Sequence, residues 1–224
     1  MNCCAPINAD TGRIFSTFAR LHRLRFRLLG FETTQRQLIE GMRDAGLQGA
    51  DLLEVGCGPG YLHRALLRSG ATRATGVDLS AGMLAIARVE AEADGLHEQT
   101  DYLHGDFTQI ADEVPDADVV ILDKVVCCYP DWESLVDRSL GKTRRLYALT
   151  FPRDRVLTRA GIRAMRWGLG IVNCCYRPYI HDPAAIQARI EASGFRRVYA
   201  ARTMTWLTQV YVRVEPGCLP GTSV

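Results

Sequence analysis

Four carboxylates and a run of glycines carry the chemistry of this chain. Asp51-Leu-Leu-Glu54-Val-Gly56-Cys-Gly58-Pro-Gly60 joins an apolar stretch to three glycines at alternate positions. Glycine lets the backbone approach a ligand closely, and a helix beginning at Tyr61 would offer free N–H groups there. The pattern is G-x-G-x-G. A dinucleotide loop, G-x-G-x-x-G, would need its last glycine at position 61, where Tyr61 stands. Glu54 would repel a pyrophosphate and suits an amine-bearing ligand. Asp78, in Gly76-Val-Asp78-Leu79-Ser80, lies 22 positions after Gly56. A carboxylate at that strand end can accept both hydroxyls of a ribose. Asp106 and Phe107 follow His104-Gly105. There the carboxylate can take an exocyclic amine of adenine and the ring can cover its face. Asp123 ends a further apolar run, Asp118–Leu122, and reads equally as a ligand contact or a loop cap.

These residues need a scaffold that brings strand ends together. From about Leu47 short apolar runs alternate with amphipathic stretches, the rhythm of a parallel sheet covered by helices. Strands are expected at Asp51–Val55, Ala74–Val77, Thr100–His104, Asp118–Leu122, Leu146–Phe151, Arg197–Ala201 and Trp206–Val212. Helices are expected at Tyr61–Ser69, Ala81–Ala93, Asp131–Leu140, Arg155–Leu169 and Pro183–Ser193, with Ser80 and Asp182 as N-caps. Two more, Gly12–Leu29 and Thr33–Ala45, precede the sheet. Arg202–Thr205 is long enough for a hairpin and too short for a parallel crossover. The expected fold is α/β: a Rossmann-like, seven-stranded, mostly parallel sheet with one antiparallel strand. Helices cover both faces, and an N-terminal helical lid completes the architecture. The expected division is an arm with lid helices over 1–46, a catalytic domain over 47–214 and a loose tail over 215–224.

Taken in order, Glu54-Val-Gly-Cys-Gly-Pro-Gly60, Gly76-Val-Asp78-Leu-Ser80, Gly105-Asp106-Phe107 and the exit at Asp123 resemble the motifs of class I S-adenosylmethionine-dependent methyltransferases. The resemblance covers roughly Asp51–Phe151. It implies S-adenosyl-L-methionine as the cofactor, held by Glu54, Gly56, Gly58, Gly60, Asp78, Leu79, Asp106, Phe107 and Asp123. It also implies in-line displacement of the sulfonium methyl by a small-molecule acceptor through O, N or S, with no metal required. The acceptor's nucleophile must then sit about 3 Å from the methyl carbon. Arg145-Leu-Tyr-Ala-Leu-Thr-Phe-Pro152, the basic helix after it, His181 and the aromatic hairpin resemble magnesium-protoporphyrin O-methyltransferases and their small bacterial relatives. Those enzymes carry histidine or tyrosine where this chain has Cys128. Two other readings use the same motifs: S-adenosylmethionine chemistry other than methyl transfer, and a non-catalytic sensor of that molecule.

On the acceptor side the candidates are Lys124, Cys127, Cys128, Tyr129 and His181. Tyr129 reads as an orienting hydroxyl or an aromatic wall, and His181 as a base or the neighbour of a helix cap. Arg20, Arg23, Arg25 and Arg27 mark either a solvated amphipathic helix or a lid that grips a carboxylate.

Composition narrows the classes. Among 224 residues, 47% are hydrophobic and 27 basic residues stand against 25 acidic ones, for a net charge of +2. That balance does not mark a dedicated nucleic-acid binder. No apolar run reaches the ~18 residues of a membrane span, and the start of the chain lacks the shape of a signal peptide. The expected location is the cytoplasm. Six of the eight cysteines form adjacent pairs, Cys3-Cys4, Cys127-Cys128 and Cys174-Cys175. They read as buried small side chains, as soft ligands for a metal or thiophilic substrate, or as a redox device.

Overall fold

The computed structural model describes residues 23–171 and 177–214. Seven strands form one sheet: β1 (Asp51–Val55), β2 (Arg73–Asp78), β3 (Thr100–His104), β4 (Ala117–Asp123), β5 (Thr143–Pro152), β6 (Phe195–Arg202) and β7 (Trp206–Arg213). Their spatial order is β3-β2-β1-β4-β5-β7-β6. β1 to β5 pair in parallel, and β7 runs antiparallel to both β5 and β6. The short Thr203–Thr205 link makes β6 and β7 the expected hairpin.

Alternation along the central strands divides the core in two. On β4, Val119 and Ile121 face one side while Val120 and Leu122 face the other. The first side meets α2 (Thr33–Asp44) through Leu38 and Met42, and α3 (Tyr61–Leu67) through Leu62 and Leu66. The second meets Phe107 of α5 (Phe107–Ile110), Leu135 and Val136 of α6 (Trp132–Gly141), and Ile186 and Ile190 of α8 (Pro183–Ala192). α4 (Ala81–Ala93) packs on β2 and β3. A run of near-continuous apolar residues on β4 is what burial on both faces demands.

The N-caps follow the sequence. Ser80 accepts a hydrogen bond from Met83 N and Asp182 accepts one from Ala184 N. The helix over residues 23–29, here α1, is the described part of the expected Gly12–Leu29 helix. α2 departs from the expected arm and lid. Its fully buried Leu38 and Met42 make it a member of the sheet's helix layer, so the core extends N-terminal to Leu47. α7 (Val156–Ile171) is the opposite case, for most of its side chains with described burial are exposed. The tail over 215–224 lies outside the described residues.

β1 and β4 are neighbours, with β1 continuing to β2 on one side and β4 to β5 on the other. Their C-terminal ends therefore open into a crevice, the usual ligand position of open α/β sheets.

Gly41 fixes the docking of α2 on the hairpin. A Cβ there would lie 2.7 Å from the Tyr199 ring and 2.9 Å from Val210. Helix propensity alone would make Gly41→Ala stabilising by about 1 kcal/mol. Overpacking of this kind costs about 1–3 kcal/mol. Net destabilisation is expected in urea unfolding, and a raised midpoint would refute the close packing.

Candidate active site

The crevice contains a cavity of about 650 Å³. Its floor is the turn from β1 into α3. Gly56, Gly58 and Gly60 take φ of 68°, 53° and 72°, a region closed to most side chains. Each has its own reason. A Cβ on Gly56 would lie 2.5 Å from Val125, one on Gly60 would lie 2.7 Å from His63, and one on Gly58 would meet nothing within 4 Å. Gly56 and Gly58 line the cavity, and Gly60 is the N-cap of α3.

Asp78 holds this loop. Its two oxygens accept hydrogen bonds from Gly58 N and Ser80 N, each at 2.8 Å. Burial raises its pKa above 3.8, and the two N–H donors oppose the shift. Asp78 and Leu79 line the cavity, and the carboxylate keeps lone pairs for further donors.

Glu54 also lines the cavity, and one of its oxygens is anchored below. His63 Nδ1 lies 2.6 Å from Glu54 Oε2, and His63 Nε2 lies 3.0 Å from the Tyr102 hydroxyl. The histidine is fully buried. Burial raises the Glu54 pKa, while the His63 bond lowers it. Sequence reasoning missed His63 and Tyr102. The signal was present, since a polar His63 on the inward side of α3 needs a buried partner.

At the end of β3, Phe107 is buried and lines the cavity. Asp106 is placed differently. Its Oδ1 caps α5 at Thr108 N and accepts the Tyr129 hydroxyl at 2.8 Å. Asp106 does not line the cavity, and this bond commits the Tyr129 hydroxyl, which favours the aromatic-wall reading of Tyr129 over the orienting one. Burial, together with the Asp106 charge, pushes the Tyr129 hydroxyl far above its ordinary pKa. The Tyr129 side chain is therefore an aromatic wall.

Beyond β4 the chain turns sharply. Lys124 is the one non-glycine residue with positive φ among those described, at 61°. Its N–H donates to Thr150 Oγ1, whose hydroxyl donates to Asp123 Oδ1 at 2.5 Å. Gln35 of α2 donates to Asp123 Oδ2 at 3.1 Å. Asp123 is thus both a cavity residue and a loop tie. Lys124 Nζ pairs with Glu32 and stands 5.5 Å from the Trp206 ring centre.

His181 does not reach the cavity. Its Nε2 lies 2.9 Å from the Tyr129 carbonyl, its ring stacks on Tyr179, and burial lowers its pKa. Together with the Tyr179 N–H bond to the Cys127 carbonyl, it straps the segment before α8 onto the turn after β4. The base role read from sequence gives way to this tie. Cys128 does line the cavity, beside Cys127. Both thiols donate to the Lys124 carbonyl. The Cys127 thiol is raised well above its ordinary range, first by its hydrogen bond with Cys128 and then by burial. Cys3-Cys4 and Cys174-Cys175 lie outside the described residues. Among the described residues no group of three or more histidine, cysteine or acidic side chains is placed to hold a metal ion.

α1 closes one side. Phe26 stacks on Tyr61 with ring centres 3.7 Å apart. Arg23 and Arg27 pair with Glu90 of α4, and Arg25 pairs with Glu32 at 2.5 Å. Of the basic run, Arg25 alone among the described residues lines the cavity. Arg20 lies outside them.

These features define a Rossmann-like, class I S-adenosylmethionine-binding architecture. Residues 52–144 match the family model described as "Methyltransferase domain", so the chain carries a class I S-adenosylmethionine-dependent methyltransferase domain. It is 35% identical over 120 residues to the ubiquinone biosynthesis O-methyltransferase of Klebsiella pneumoniae, covering 53% of this chain and 45% of that protein. With the protein of the same name from Idiomarina loihiensis the identity is 33% over 159 residues, covering 69% and 61%. The chain spans about half the length of the curated relatives it matches. Among solved structures, magnesium protoporphyrin IX methyltransferase from Synechocystis with bound S-adenosylmethionine superposes with a TM-score of 0.68 at 20% identity. That match covers 95% of this chain and 100% of the other. A [4+2]-cyclase superposes at 0.70 and 16% identity, covering 94% and 98%. At those identities the likeness shows the fold.

The residues present fit the donor. The Gly58 turn is open, Asp78 presents a pinned carboxylate, and the Tyr61 hydroxyl is buried without a partner at the cavity wall. If the ionised Asp78 receives ribose hydroxyls, donor affinity falls as pH drops through its raised pKa. The inflection is expected above 3.8, and Asp78→Asn should flatten it. Asp78→Ala should weaken donor binding about 10- to 100-fold, the loss of charged hydrogen bonds worth about 1.5–3 kcal/mol. Calorimetry with S-adenosylhomocysteine across pH checks both, and an unchanged affinity in Asp78→Ala removes Asp78 from the site.

Proposed function

We propose that this protein transfers a methyl group from S-adenosylmethionine to a hydroxyl of a small, largely apolar acceptor. One observation carries the reading. A single cavity runs from Gly56, Gly58 and Asp78 to a wall made by Val125, Tyr129, Ile162, Met165 and Trp206. Donor and acceptor can therefore meet in one enclosure, and most of its far wall is hydrocarbon or aromatic. The names of the Klebsiella and Idiomarina relatives support oxygen as the methylated atom.

Within this reading Glu54 faces the donor's ammonium, Asp78 its ribose and Phe107 its adenine. When bound, the donor supplies an activated methyl: the acceptor oxygen forms the new C–O bond while the C–S bond breaks and its electron pair stays on sulfur. The hydroxyl proton passes to solvent. The Lys124 ammonium stands at the acceptor side, oriented by Glu32 and by the Trp206 ring. Its charge lowers the cost of ionising the acceptor hydroxyl as the proton leaves. Tyr129, tied to Asp106, shapes the pocket. Arg25, paired with Glu32, keeps a second positive charge at the mouth.

The test incubates the protein with S-adenosylmethionine and a panel of apolar phenols. S-adenosylhomocysteine should accumulate in step with methylated phenol. Methylthioadenosine would mean different chemistry at the sulfonium, and tight donor binding without turnover on any acceptor would mean a sensor. The cyclase that shares this fold shows why product identity has to decide. Lys124→Met is expected to lower kcat on the order of 10²-fold and leave donor affinity unchanged. Equal kcat in the variant would remove Lys124 from the chemistry.

A further inference from the structure

The outer face of α7 remains unexplained by the donor site. Val156 is 81% exposed, Leu157 76% and Trp167 75%. Met204, at the tip of the β6–β7 hairpin, is 73% exposed. The hairpin tip sits against the start of α7, because Arg153 N donates to the Thr205 carbonyl and Arg153 Nη1 to that of Thr203. Met204 is thereby brought near Val156 and Leu157, and Leu157 also lines the cavity, as do Met165 and Trp206.

The same surface is cationic. Val156–Ile171 contains Arg159, Arg163 and Arg166 and no acidic residue. Asp154 pairs with Arg159. No described carboxylate lies within ion-pair distance of Arg163 or Arg166. Partial burial lowers the pKa of Arg153, and the neighbouring charges of Arg155 and Arg202 add to the shift. On a helical wheel Val156, Ala160 and Trp167 share one sector, and Arg159, Arg163 and Arg166 flank it. An apolar sector beside an arginine sector suits a helix lying in the plane of a membrane interface, with tryptophan at the headgroup level.

We propose that α7 and the hairpin tip dock this protein onto the surface of a bilayer containing anionic phospholipid, through the face of α7 turned away from the cavity. The docking does not rest on the transferase reading above. Charge selects this occupant. A second copy placed by a twofold axis through α7 would set the arginines of α7 against themselves. Residues 1–22 contain Arg13 and Arg20 against Asp10 alone, so they bring no complementary charge. Trp167 is the one aromatic ring among these exposed side chains, whereas a nucleic-acid groove stacks successive bases on several rings. No helix among the described residues is long and apolar enough to cross a membrane, so the contact is peripheral.

The experiment sediments the full chain with vesicles of phosphatidylcholine alone, or with about one quarter phosphatidylglycerol. Binding is expected to the anionic vesicles and to weaken with salt. Each arginine near such a surface contributes roughly five-fold. Arg163→Glu with Arg166→Glu should therefore weaken binding at least about 10-fold, and Val156→Asp with Met204→Asp should weaken it through the apolar contact. Both pairs should keep the wild-type affinity for S-adenosylhomocysteine. Absence of vesicle binding overturns the proposal, as does binding that neither pair reduces. A dimer abolished by Val156→Asp with Met204→Asp, or RNA bound where vesicles are not, overturns it in favour of that occupant. Vesicle binding without any donor affinity would sink the transferase reading and leave the docking surface standing.

Discussion

One carboxylate organises the site. Asp78 ends β2, yet it holds the backbone of Gly58 in the turn after β1 as well as Ser80 at the start of α4. Two strand ends and a helix cap thus share one charged group. The burial that lets Asp78 work as a rigid post also raises its pKa. The group that shapes the loop is the group that would receive the donor's ribose. Loop geometry and ligand recognition are therefore one electrostatic arrangement.

Around this post the protein builds support in two layers. Below, Glu54, His63 and Tyr102 form a buried chain that fixes the end of β1 against α3 and β3. Beside it, Asp123, Thr150 and Gln35 tie the end of β4 to β5 and α2. The parallel β1–β4 pair places both chains of contacts at the C-terminal ends of the central strands. The far side of the cavity lacks such depth. Its walls come from α1, α7 and the turn after β4, elements that pack on the core along only part of their surfaces.

The sequence disclosed what depends on local pattern. Strand positions and the closing hairpin follow from alternation and from the length of Arg202–Thr205. Gly56, Gly58, Asp78, Leu79 and Phe107 follow from position at strand ends. The partners of polar side chains were hidden. Asp106 stands at the expected strand end, but its carboxylate is taken by Thr108 and Tyr129, which is 23 residues away. His181 satisfied the residue type of a base, while its direction depended on a carbonyl 52 residues earlier. His63 carried the signal of a polar residue on an inward helix face, but its partners, Glu54 and Tyr102, lie on two other elements. The role of α2 was misjudged for a related reason: its apolar stripe announces burial and does not say against what.

The contact between Gly56 and Val125 has a consequence for anyone reshaping this pocket. The glycine floor of the cavity and its Val125 wall touch with no room between them, since even one added carbon at Gly56 would press on Val125. A bulkier side chain at Val125, introduced to exclude larger acceptors, would push on the glycine turn. Acceptor choice and cofactor affinity would then change together. Selectivity can be redesigned more independently from Ile162 and Met165, on a helix that shares no such contact with the floor.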